Sequence, residues 1–191
     1  MSAFPNSVED FLTGEIFLLD KPLGWTSFDL VKKVKNLIRK KYNLKKIKVG
    51  HAGTLDPLAT GLLIVCTGKF TKRISEIQGQ NKVYTGEITL GGTTPSYDLE
   101  TEVDTQYTTS HITKELIQET IPQFTGEVNQ KPPIFSALKR DGERLYKKAR
   151  RGENIEIEPR KVSIHSFRIT IIEMPKISFE IICGKGTYMR S

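Results

Sequence analysis

Leu30, Val31, Val34, Leu37 and Ile38 recur at intervals of one, three and four residues, so the stretch GWTSFDLVKKVKNLIRKKY predicts a helix with one buried face. Thr26 and Asp29 have the spacing of a capping box at its start, and Trp25 is placed to staple onto Leu30. Ahead of it, residues 1–14 form a tail leading into a short apolar strand, EIFLLDKP, stopped by Pro22. TGLLIVCTG is a buried strand between glycines, and FTKRISEIQ is a short helix. KVYTGEITLGG is a strand ending in a diglycine turn, and TPSYDLETEVDTQ is a polar, acidic loop. Ile112, Leu116, Ile117, Ile121 and Phe124 give helical spacing from Ser110 onward. VSIHSFRITII and ISFEIICGKGTYMRS close the chain as strands, with Ile177, Phe179, Ile181 and Cys183 alternating. Without a strict βαβ rhythm, this order predicts an α+β fold: a mixed, largely antiparallel sheet flanked by helices.

One segment has a different texture. NQKPPIFSALKRDGERLYKKARRGENIEIEPRKV is Pro-punctuated and basic, with Phe135, Leu138, Leu145 and Tyr146 among its charges. It is too long for an ordinary connection and too structured for a linker, which predicts a functional insertion over about residues 129–160. The 191 residues fit one domain carrying that insertion. A net charge of +7 leans toward a polyanionic partner. Nine cations lie between Lys32 and Lys48 without one acid, which is either a solvated helix face or a surface awaiting an anion. No run has the roughly 18 apolar residues of a membrane span, and the N-terminus lacks a signal peptide's basic start and apolar stretch. With two cysteines, a disulfide scaffold is not expected and a reducing cytoplasm is the simplest setting.

Candidate chemistry narrows by elimination. His51, His111 and His165 are far apart and no metal-binding spacing occurs, so no metal is expected. GKFTK has Leu63 where a phosphate loop needs its first glycine. Cys66 and Cys183 sit in apolar strands, where burial makes a thiol inert. There remains Asp56, in GHAGTLDPLATGLLIVCTGK. Pro57 turns the chain there, and Gly50, Gly53 and Gly61 permit unusual backbone angles or close approach of a ligand. Taken alone, Asp56 reads first as a turn or cap residue, the usual role of an Asp-Pro pair, and only second as a carboxylate held for catalysis.

That stretch closely resembles the catalytic motif of the TruB-type tRNA pseudouridine synthases, which isomerise the T-loop uridine at tRNA position 55. LLDKPLGWTSFDLVKKVK resembles the family's N-terminal strand and helix, and KVYTGEITLGGTTPSYDLE its tyrosine-bearing strand and acidic loop. QKPPIFSALKRDGERLYKKARRG is similar to its RNA-binding thumb, and CGKGTYMRS to its arginine-bearing motif. The five segments lie in family order across roughly residues 15 to 191. The resemblance implies that Asp56 is the catalytic nucleophile, that Tyr84 stacks on the flipped uracil and takes part in proton transfer, and that Arg190 pairs with the aspartate. It places His51 near the vacated base position, and Lys21 and Tyr188 in the substrate-binding region. Lys139, Arg140, Arg144, Lys147, Lys148 and Arg151 would clamp the RNA backbone with marked salt dependence.

The chemistry agrees. A T-loop uridine must be flipped out to react, costing a few kcal/mol of unstacking that aromatic stacking returns at roughly 1–3 kcal/mol per base. Exchanging N1–C1′ for C5–C1′ involves no redox change, so no cofactor is required. Asp56 attack on C1′, attack on the base and a glycal route are all compatible with these residues. The implied partner is the tRNA T-arm, bound by a monomer without any membrane. The chain stops just after the arginine motif, whereas the family continues with a helix and an apolar segment, and in many members with a PUA-type domain. The expectation is therefore a catalytic domain over residues 1–191, incomplete at its C-terminus, that binds tRNA weakly and turns over poorly. Guide-RNA-dependent pseudouridine synthases, which share the GTLDP core, and a non-catalytic RNA-binding protein are the competing readings.

Overall fold

The computed structural model describes residues 7–133, 139–140, 143–144, 151 and 157–190. It divides into two compact units, residues 1–80 and 81–191.

The first unit opens with a helix, α1 (Val8–Thr13), where the sequence predicted only a tail. Ser7 and Asp10 cap it reciprocally, and Phe11 on its inner side is buried. Six residues are too few to display a 3.6 period, so the cap was its only sequence signal. Next come β1 (Ile16–Lys21) and α2 (Ser27–Lys41), whose capping box joins Thr26 and Asp29 as predicted. They are followed by β2 (Val49–His51) and β3 (Gly61–Thr67), then a 3-10 turn over Gly68–Arg73 and α3 (Ile74–Gln78). β3 is the centre of an antiparallel sheet in the order β1-β3-β2, with Ile16 opposite Cys66 and Lys21 opposite Gly61.

α2 packs on this sheet through Val31, beside Leu63 and Val65, with Phe17, Leu19, Leu30 and Val34 around them. A second cluster joins Phe11, Ile38 and Ile47, where the Phe11 ring stacks 5.9 Å from Phe17 and lies 5.5 Å from Tyr42. Each fully buried side chain among them contributes about 1.5–3 kcal/mol, and the partly buried ones around them less. The helix face opposite Val31 and Ile38 remains in water.

The second unit is built on β4 (Lys82–Thr89), β7 (Gly126–Gln130), β10 (Arg160–Glu173) and β11 (Lys176–Cys183), in the sheet order β4-β11-β10-β7. Ile164, Phe179, Ile181 and Cys183 form its core, with Tyr84, Val128, Phe167, Ile169 and Met189 packed against them. The alternation of β11 therefore marks the face that the sequence predicted. β5 (Gly92–Thr93) pairs with β6 (Thr105–Gln106), closing the acidic loop into a hairpin. α4 (Lys114–Thr120) follows, capped by Thr113, and runs into a 3-10 turn over Ile121–Phe124. Within the basic segment, β8 (Lys139–Arg140) pairs with β9 (Glu143–Arg144). The architecture is α+β, and every strand pairing among the described residues is antiparallel. β2 and β7 are strands that the sequence did not announce. Val128 is the one apolar residue of GEVNQ, and β2 is three residues long.

Candidate active site

In the first unit, β2 ends at His51 and the chain crosses to β3 through residues 52–60. Ala52 N donates to Ile64 O at 2.8 Å, and the His51 ring Nδ1 meets Gly53 O. Gly53 has φ +135°, a conformation that favours glycine. Asp56, half-buried, lies between two residues that are each tied to the start of α2. On one side, Leu55 N donates to Ser27 Oγ at 2.9 Å, and that hydroxyl donates back to Leu55 O at 3.2 Å. On the other, Pro57 O accepts from Gly24 N at 2.8 Å. Ala59 N then closes the turn onto Asp56 O at 3.0 Å. The carboxylate is thus carried on backbone braced from both neighbours.

Beneath the turn lies Lys21. It is fully buried, and its ammonium donates to Trp25 O at 2.6 Å, Pro22 O at 3.0 Å and Pro57 O at 3.4 Å. Burial lowers its pKa from the ordinary 10.5, and the negative charge of Asp56 opposes that shift. The three carbonyls replace the water an ammonium would otherwise hold. Lys21 is thus a buried brace for the turn, with no surface open to a substrate.

In the second unit, Tyr84 on β4 stands opposite Ile181 of β11 and is half-buried against the core. Gln130 holds the 184–190 segment in place: its side-chain amide donates to Tyr188 O and accepts from Tyr188 N, both at 2.8 Å. The Arg160 guanidinium lies 5.0 Å over the Tyr188 ring and donates to Gly186 O. Arg190 Nη1 donates to Asp98 Oδ2 at 3.0 Å, with side chains only 10% and 17% exposed, so this pair is shielded from water. Asp98 is itself fixed by a knot of short-range bonds. Its Oδ1 accepts from Ser96 Oγ at 2.6 Å and from Glu100 N at 3.0 Å, and Thr94 Oγ1 donates to Asp98 O at 2.7 Å. Sequence reasoning passed over Asp98 as one acid in a polar loop. Its one signal was the nearby hydroxyls of Thr94, Ser96 and Thr101, small enough to build such a knot.

Of the basic residues predicted to hold RNA, Arg151 forms a two-pronged ion pair with Glu143, at 2.7 and 2.8 Å. The side chains of Lys139, Arg140 and Arg144, and the whole of Lys147 and Lys148, lie outside the described residues. Burial pushes the thiols of Cys66 and Cys183 up, away from the reactive thiolate form. Among the described residues, no group of three His, Cys, Asp or Glu is placed to hold a metal ion. Nor is any helix there long and apolar enough to cross a membrane.

Comparison with known proteins adds an independent line. Residues 39–189 match the family described as TruB family pseudouridylate synthase, N-terminal domain. The chain is 62% identical over 184 residues to a protein of Flavobacterium johnsoniae named tRNA pseudouridine synthase B, covering 96% of this chain and 80% of that one. It is 51% identical over 182 residues to the protein of the same name from Parabacteroides distasonis, covering 95% and 77%. Among solved structures, it superposes on a chain of a Cbf5-Nop10-Gar1 complex with a TM-score of 0.66 at 27% identity, spanning 95% of this chain and 42% of that one. A family match over most of the chain, and relatives at half identity or more along nearly its whole length, lead to one conclusion: the chain belongs to the TruB family of pseudouridylate synthases.

Proposed function

We propose that this chain is the catalytic part of a tRNA pseudouridine synthase that acts on the T-loop uridine of the T-arm, with Asp56 as nucleophile. The observation that carries the reading is the braced Asp56 turn, in a chain so similar to proteins named tRNA pseudouridine synthase B. The reaction breaks the N1–C1′ bond of uridine, forms C5–C1′, removes the proton from C5 and places one on N1. Product and substrate are isomers, so no co-reactant enters the balance. A nucleophile does this only if it stays ionised and aimed, which a turn held by α2 and a buried ammonium favours.

In this reading Tyr84 stacks on the flipped base and assists proton transfer, and His51 takes the place the base vacates. Arg190 supplies a guanidinium fixed in orientation by Asp98, and Lys21 acts as a positioning residue rather than a substrate ligand. Tyr188 supports the segment bearing Arg190. The basic segment over about residues 129–160 is the thumb that grips the RNA backbone. The protein would work as a cytoplasmic monomer without cofactor. The test is Asp56→Asn in the full chain, assayed for pseudouridine in a tRNA transcript. Conversion should fall by roughly a thousandfold or more with RNA affinity retained. Undiminished conversion would overturn the assignment.

A further inference from the structure

We propose that the outer face of α2 is a track for RNA backbone leading away from the Asp56 turn. The proposal rests on the reading of the substrate as RNA and adds a surface that reading does not use. Val31 and Ile38 set the inward face of α2. At 100° per residue, Lys32, Lys33, Asn36, Arg39 and Lys40 then fall on the opposite arc, and all five are exposed. The track begins at the site itself: Gly24 and Trp25 line a shallow groove with Lys32, Lys33 and Asn36, and Gly24 N holds Pro57 O. From Ser27 to Arg39 the helix carries these groups about 18 Å further on.

Charge argues for an anionic occupant. No acid occurs among residues 30–55, and like charges a turn apart on a helix repel. Asp29, the acid at the groove, is committed to the cap, its Oδ2 accepting from Thr26 N at 3.0 Å and from Thr26 Oγ1 at 2.5 Å. The helix dipole accounts for cations in the last turn, where Arg39, Lys40 and Lys41 lie, but not for Lys32 and Lys33. A membrane surface fits poorly, because the wide apolar face such a helix would insert is already packed on β1 and β3. RNA fits better, since Trp25, 37% exposed at the groove, offers a ring for a base and the cations offer points for phosphates.

The test replaces Lys32, Lys33, Arg39 and Lys40 with Gln together in the full chain, carrying Asp56→Asn so that turnover does not enter. Its binding to an unmodified tRNA transcript is measured across a salt series. Each lost phosphate contact removes roughly 0.7–0.9 from the slope of log K against log salt. The slope should therefore fall by about 3, affinity should drop more than tenfold at low salt, and the melting temperature should stay near the parent's. Replacing the three lysines with Arg, with Arg39 kept, should restore binding. An unchanged slope and affinity would overturn the track, as would loss of binding to anionic vesicles with RNA binding intact. Failure of the chain with Asp56 intact to convert uridine would sink the proposed function and leave this result standing.

Discussion

Replacing Lys21 with Met removes the ammonium while keeping a flexible side chain of similar length. The structure sets the scale: one fully buried cation, two strong hydrogen bonds at 2.6 and 3.0 Å and a long one at 3.4 Å. A hydrogen bond to a charged group contributes about 1.5–3 kcal/mol, and part of that is offset by the cost of burying the ammonium. A net loss of about 2–4 kcal/mol follows, or a fall in melting temperature of roughly 5–15 °C for a chain of this size. Chemical denaturation and calorimetry read it directly. The released Pro57 carbonyl loosens the Asp56 turn, so turnover should fall tenfold or more while the Kd for tRNA stays within about twofold.

The pH dependence carries its own sign. The folded-state pKa of Lys21 lies below 10.5, so the unfolded chain holds the proton more tightly. Its contribution to stability is flat at lower pH and rises with pH in the window below 10.5. The stability gap between wild type and Lys21→Met should therefore widen there. A variant that melts and turns over like wild type would refute the idea that this ammonium holds the turn.

Asp98→Asn removes the carboxylate charge facing Arg190, and turnover should drop at least tenfold with tRNA affinity little changed; equal rates would show that the pair does not orient Arg190 for catalysis. Gly68 has φ +52°, and a Cβ there would stand 2.1 Å from the Leu12 carbonyl oxygen. Gly68→Ala should cost about 3 kcal/mol or more in a denaturant melt. Gly24→Ala, at φ +79° with nothing within 4 Å, should cost only about 1 kcal/mol.

Elements whose periodicity runs over seven or more residues were legible, because spacing alone tells a residue which way it faces. β11 follows that rule, and so does α2 down to the capping box of Thr26 and Asp29, except at Leu37, which the spacing placed inward and the structure leaves 56% exposed; β3 was legible as an unbroken apolar run between glycines. α1 escaped it because six residues are too few to show a helical period, and β2 and β7 because they are short and their pairing with β3 and β10 is decided by other parts of the chain. The same division holds at the site. The sequence by itself, through its motifs, determined the family and singled out Asp56, Tyr84 and Arg190. Lys21 it placed only in the substrate-binding region. Tertiary structure alone decided that the ammonium there is buried, because the carbonyls that make this tolerable come from Pro22, Trp25 and, 36 residues on, Pro57. It also paired Arg190 with Asp98 across 92 residues of chain. A buried charge is fixed by what surrounds it in space, and no local pattern records that.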